Sequence, residues 1–474
     1  MSAGHVAMKP GSASSQQDPA LLSASPGSLT IIEGVACRDA AHSDAGAPRE
    51  VGQRGASRSS NGASRGPSAT PCYSFVHILQ EGHKSPRNAT AASLAESRTG
   101  PSNQGALPDV LFQTGKVYSV VPGVLAFACF KDKKQLLTAM RQNPRLHFFT
   151  TGLHADYNPL GADFGPVDLG VVYRFCALVK EMLDKSKGSK QVVYYFGNAQ
   201  ADVVNSFLLL GCCAMVNFEL SGQDAYAAFK RLQPIPFPAY RDCGPLGKKS
   251  NFDVTLQDCL YGFAIALANG WLSPDAGIQP EDYVSWQHED LGEFHYVCPR
   301  LASFKGPTVV RNMVCPGLFT CTPLDYVDVF LANNVSCVVR INSPDNYNIS
   351  LLEQANIRVY SLQADGDEET PCEAFVADFL QILRQEDGKV VIHSKHGIRV
   401  TGFLLCMHLL AEEGFTATQS IGWMRMVHPG SVAGQQQHAL YDLWQTAHEF
   451  EQLHLLTRGM QQSLRIDTVS LLGS

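Results

Sequence analysis

The sequence predicts an α/β protein: two tandem units, each a central sheet flanked by helices, behind a long disordered leader. Three observations carry this. From Val117 onward, β-rich apolar runs alternate with segments of helical spacing, the signature of an α/β layer. Val192-Val-Tyr-Tyr-Phe, Val335-Ser-Cys-Val-Val-Arg-Ile and Lys389-Val-Val-Ile-His are continuous apolar runs, as buried strands are. Ahead of about residue 107 no period is sustained at all.

That leader is Ser, Ala, Gly and Pro with scattered charges, and it cannot bury enough apolar area to offset chain entropy. Leu29-Thr-Ile-Ile and Tyr73-Ser-Phe-Val-His-Ile-Leu are short exceptions that read as docking strands. Val117-Tyr-Ser-Val-Val-Pro-Gly-Val-Leu-Ala-Phe is a strand-like opening. Val171 to Leu183 has helical spacing, Val192 to Phe196 is a strand, and Ala201 to Leu220 returns to helix. A second unit begins near Phe294: strand from Val335, helix Phe375 to Leu383, strand from Lys389, then an apolar helix Phe403 to Glu412. The expected organisation is a disordered segment 1–107, a unit 108–274, a linker helix 275–293, a unit 294–456 and a tail 457–474.

Composition bounds the function. Of 474 residues, 45% are hydrophobic and 17% charged, so most of the chain can bury a core. A net charge of -7 and a pI of about 6.1 argue against a nucleic-acid partner held by bulk electrostatics. No apolar run reaches the ~20 residues of a membrane helix; the nearest, Val203 to Leu220, contains Asn205, Ser206, Asn217 and Glu219. The opening Met-Ser-Ala-Gly-His is not a secretory signal. The 14 cysteines are scattered without a Cys-x-x-Cys pair and read as reduced core thiols, so no metal or cofactor is expected and the place is cytoplasm and/or nucleus.

The chemistry concentrates in Lys389-Val-Val-Ile-His-Ser-Lys-His-Gly-Ile-Arg-Val-Thr-Gly-Phe. A strand enters a short loop holding Gly397 and then a helix, which aims successive amides and a helix N-terminus at one spot. An ordinary βα turn has the same pattern, so context decides.

Context comes from ordered blocks between about Asp156 and Leu440. They include Tyr157 with Ala162-Asp163-Phe164-Gly165-Pro166, Leu169 and Val172-Tyr173-Arg174. Tyr240-Arg241-Asp242, Asp258-Cys259-Leu260 and Phe304-Lys-Gly306-Pro307 follow. Asn334-Val335, Val338-Val339-Arg340-Ile341-Asn342, Pro429-Gly430-Ser431 and Gly434-Gln-Gln436-Gln437-His438 complete the set. In these the chain resembles the cell division cycle 14 phosphatases, dual-specificity members of the cysteine-dependent protein tyrosine phosphatase superfamily. The resemblance implies two tandem phosphatase-like domains, the first non-catalytic.

Departures from the family pattern shape the expected activity. The family reads His-Cys, five residues, Arg, Thr-Gly; here His393 stands, Ser394 takes the cysteine position and Val400 the arginine position, with Thr401-Gly402 in register. The family's thiol is activated because the cradle lowers its pKa from ~8.5 into the ~3.5–7.5 range. A serine hydroxyl in that field stays protonated. Loss of a bidentate arginine typically costs ~10²–10³ in rate. Arg399 stands one residue early, about 100° around the helix, although its length leaves a return to the cradle open. Lys395, His396, Gly397, Ile398, Arg399 and Val400 are the candidate phosphate-binding positions.

The family's general acid falls on Asp365, with Asp367 a rival within Asp365-Gly-Asp367-Glu368-Glu369; a solvated acidic loop is the plain alternative. Gln436 and Gln437 match the loop that orients the hydrolytic water. On the linker, Val284 and Gln287 replace two acidic residues that select basic substrates, while Asp290 and Glu293 remain. The resemblance with these departures implies a pseudophosphatase that binds phosphoproteins, phosphoserine-proline sites among them, or scaffolds without turnover. An active phosphatase paralogue is a candidate partner to compete with, and a divergent active phosphatase using Ser394 with Arg399 is the alternative.

Overall fold

The computed structural model describes residues 109–449 apart from 158, 162, 187–189, 235–237, 243–251, 274–277, 288–292, 342–346, 364–369 and 395–397, together with 30–31 and 79. The tail and nearly all of the leader, with the disorder expected there, lie outside the described residues.

Two five-stranded sheets form the frame. The first comprises β1 (Thr30–Ile31), β2 (Val117–Val121), β3 (Leu125–Cys129), β4 (Leu146–Thr150) and β5 (Gln191–Phe196), ordered β1-β4-β5-β3-β2. The second comprises β6 (His295–Cys298), β7 (Leu301–Ser303), β8 (Val335–Ile341), β9 (Arg358–Leu362) and β10 (Lys389–Ser394), ordered β6-β7-β10-β8-β9. Their pairings match strand for strand. A two-strand antiparallel edge (β2/β3, β6/β7) leads to a central strand (β5, β10) and then two more parallel strands. The chain is thus a tandem of two α/β layers with the same strand order.

The central strands are continuous apolar runs because both faces are covered: Val192 to Tyr194 and Val390 to Ile392 are all buried. The opening run from Val117 is a hairpin, not one strand. Pro122-Gly123, with Gly123 at φ +73°, supplies the turn that breaks it. The docking-strand reading of Leu29 to Ile32 meets β1, which pairs in parallel with Phe149 and Thr150. Leu79, from the second such segment, is buried in the main core, but it is helical and not part of a strand.

Each central strand runs into a long helix, α1 (Gln200–Phe218) after β5 and α3 (Ile398–Glu412) after β10. By length and apolarity α1 passes as a membrane span, yet every residue from Val203 to Met215 is buried inside the fold. The two halves meet where α2 (Leu256–Ala268) crosses α4 (Ala417–Val427). Glycines let the backbones approach there: a Cβ on Gly262 would lie 2.7 Å from the Gln419 carbonyl oxygen, and one on Gly422 3.1 Å from the Cys259 amide nitrogen. Trp271 stacks on Phe415 at 5.6 Å and meets Trp423 at 5.9 Å, so apolar packing is continuous across the junction. Within the linker, the helix Pro280–Trp286 buries Tyr283, whose hydroxyl donates to the Met426 and Val427 carbonyls at 3.3 Å.

Candidate functional site

β10 lies between two parallel neighbours, so its C-terminal end opens at the sheet edge where open α/β sheets bind ligands. Residues 390–393 are buried and Ser394, the last strand residue, is half-buried. Helix α3 starts at Ile398, bringing its N-terminal partial positive charge to the same edge. Lys395, His396 and Gly397, which join them, are outside the described residues, as are Asp365 and Asp367.

His393 is buried. Its Nε2 is 2.9 Å from the Tyr347 hydroxyl, and its Nδ1 side faces Gly306, where a Cβ would sit 2.5 Å away. Gly306 has φ +85°, so glycine is required there twice over. Arg340, next to His393 across the β8–β10 ladder, donates from Nε to the Ser361 hydroxyl at 2.7 Å and lies over the Tyr347 ring. Burial, with the Arg340 charge, pushes the His393 pKa down to about 3, so the ring is neutral at ordinary pH.

The first turn of α3 separates the two arginine candidates. Val400 is buried and Ile398 and Arg399 are exposed. The position where the family pattern has arginine therefore faces inward with an apolar side chain, and the guanidinium one residue earlier starts outward. Thr401 donates its hydroxyl to the Ile398 carbonyl at 2.7 Å, and Gly402 packs directly against the Ser431 carbonyl, with no room for a Cβ.

Gln436 and Gln437 are fully buried behind this turn. Gln436 donates from Nε2 to the Arg399 carbonyl at 2.9 Å, while Gln437 accepts from Arg425 through Oε1. The glutamines thus brace the backbone of the helix start. The structure brings Val400 and Gln436 to the start of α3, which follows Ser394 at the end of β10, while Gln437 is held by Arg425 and Gly434. Arg425 and Tyr347 escaped the sequence reading, since each meets its site partner only through the tertiary fold.

The matching element in the first sheet carries a different charge. After β5, Asp202 occupies the first turn of α1, and its Oδ2 would lie 3.1 Å from a Cβ on Gly197. Burial and the Asp202 charge push the Cys129 thiol up to about 11. A carboxylate in the cradle position opposes an anion. Among the described residues, no group of three His, Cys, Asp or Glu is arranged to hold a metal.

Residues 119–266 match the family model for the N-terminal half of dual specificity protein phosphatases. The chain is 29% identical over 326 residues to dual specificity protein phosphatase CDC14A of Mus musculus, covering 67% of this chain and 53% of that one. It is 30% identical over 330 residues to the tyrosine-protein phosphatase CDC14 homolog of Schizosaccharomyces pombe, covering 66% and 60%. The chain is a homologue of the CDC14 dual-specificity phosphatases. It spans little more than half the length of these CDC14 relatives. The solved structure of PTPMT1 overlays on 33% of this chain and 98% of its own, at 14% identity and a TM-score of 0.27.

Proposed function

We propose that this CDC14-like chain is a pseudophosphatase, a module that binds phosphoproteins or scaffolds without hydrolysing them, active in the cytoplasm or nucleus. The observation that carries the reading is the first turn of α3, where Val400 is buried and offers no donor at the arginine position. Three further points support it. Ser394 stands where the family's nucleophilic thiol belongs. Among the described residues the imidazole adjacent to Ser394 in sequence, His393, is held neutral with its pKa near 3 and is engaged with Tyr347, so it is too weak a base to activate a hydroxyl. The sheet edge, the helix N-terminus and the glutamine brace still form a frame suited to an anion.

The test is hydrolysis of a small aryl phosphate and of phosphoserine-proline and phosphotyrosine peptides, run beside binding of the same peptides. Binding without turnover above background is expected. Turnover abolished by Ser394→Ala, with a remote substitution harmless, would establish the divergent active phosphatase instead. Absence of phosphate-dependent binding would remove the phosphoprotein half of the reading.

A further inference from the structure

We propose that Asp242, in the N-terminal half, is a positioning residue for the site in the C-terminal half; the proposal rests on the phosphate-site reading above. Its Oδ2 accepts the Gly434 amide at 2.8 Å. Gly434 opens the turn that leads into the helical residues 435–449, and its φ of +60° lies in the left-handed region that favours glycine. The carboxylate therefore sits at a helix N-terminus, where negative charge is stabilised, and it belongs to the other half of the chain.

The same turn sets the glutamines. The Gly434 carbonyl accepts the Gln437 amide and its Nε2, each at 3.4 Å. Gln437 takes Arg425 through Oε1, and its neighbour Gln436 holds the Arg399 carbonyl at 2.9 Å. A carboxylate in one half is thus linked through one turn to the backbone at the start of α3.

Asp242 is itself firmly placed. It follows the ribbon Tyr240–Arg241, which pairs with Asp253–Val254, and Arg241 meets Asp253 at 3.2 Å. Tyr240 is fully buried, its ring 5.7 Å from Phe164 and its hydroxyl donating to the Val204 carbonyl of α1 at 3.3 Å. Phe252 adds an apolar brace, its ring 5.1 Å from His438 and 6.4 Å from Tyr441. A charge-assisted bond from so rigid a base fixes the turn better than a neutral one. Removing it leaves the Gly434 amide without its carboxylate and slackens the grip on Arg399.

The experiment is hydrogen exchange on the full unliganded chain, followed by titration with inorganic phosphate. Wild type is compared with Asp242→Ala, Asp242→Ser and Asp242→Asn. In the alanine and serine variants, peptides covering 398–405 and 434–437 should exchange about tenfold faster while β8 is unchanged, the size expected for one lost charged hydrogen bond. Phosphate should bind about tenfold more weakly. Asparagine keeps an acceptor oxygen at the same reach and should restore both readouts to within about threefold. The serine variant decides the matter if the alanine variant does not fold. Wild-type exchange at 434–437 in both short variants, or equal loosening of the whole second sheet, overturns the proposal. A wild type that binds no phosphate sinks the phosphate-site reading, and the exchange pattern still judges Asp242 separately.

Discussion

His408 gives a quantitative handle on how the two halves are joined. It is buried on α3, its Nε2 3.3 Å from the Glu413 carboxylate, and Glu413 in turn accepts from Asn269 at the end of α2 through its carbonyl at 3.3 Å and its carboxylate at 3.4 Å. Burial works against a charge on His408, but Cys298 and Glu413 outweigh it and hold its pKa up at about 10. The folded state then binds a proton that the unfolded chain, at ~6.5, releases. The stabilisation is complete below pH ~6.5 and is lost as pH rises through about 10. Between pH 6.5 and 8.5 this amounts to roughly 2 kcal/mol, from 1.36 kcal/mol per unit with the unfolded group half-titrated at the start. The assay is urea unfolding at half-unit pH steps, wild type against His408→Gln. The difference curve removes the buried thiols that are not coupled to His408, and it should shrink by about that amount over the window. A difference independent of pH would show that His408 is neutral in the folded protein and refute the argument.

Turnover should be partly rebuilt by the triple substitution Ser394→Cys, Arg399→Gly and Val400→Arg, read as vanadate-sensitive hydrolysis of an aryl phosphate; nucleophile and arginine act as a unit, so neither single restoration suffices. A folded triple variant at background would mean that the loop has lost the cradle shape. Gly402→Ala should destabilise by about 1–3 kcal/mol or more, because its methyl meets the Ser431 carbonyl and neither backbone can yield cheaply; an unchanged melting temperature counts against that packing.

Much of the fold was legible because burial writes itself as composition. Val335–Ile341 is a strand over the very residues read from sequence, since its β-branched run is covered on both faces. The strand from Lys389 ran one residue further, to Ser394, and α3 began at Ile398 instead of Phe403, because polar residues at the sheet edge carry no period. Pro122-Gly123 was a turn signal overlooked inside an apolar run. Site residues divide the same way. Ser394, Val400 and Gln436 show in local pattern, whereas Tyr347 reaches His393 across 46 residues and Asp242 reaches Gly434 across 192, distances over which spacing says nothing.

The two sheets together indicate why the architecture does not depend on a thiol at 394 or a guanidinium at 400. Each places a central strand against a helix N-terminus, and in the first the cradle position holds Asp202. The residues that shape the second element act through backbone space and backbone bonds. Gly306 makes room for His393, Gly402 lets α3 lie against Ser431, Thr401 holds the Ile398 carbonyl and Gln436 the Arg399 carbonyl. None of them requires a thiol at 394 or a guanidinium at 400. Serine is smaller in polarisable bulk than cysteine but fits the same strand end, and a buried valine at 400 adds apolar contact where a guanidinium would need desolvating. Frame and side-chain chemistry are therefore separable in this chain, and on the pseudophosphatase reading proposed above that separability is what makes catalytic repair a matter of a few side chains.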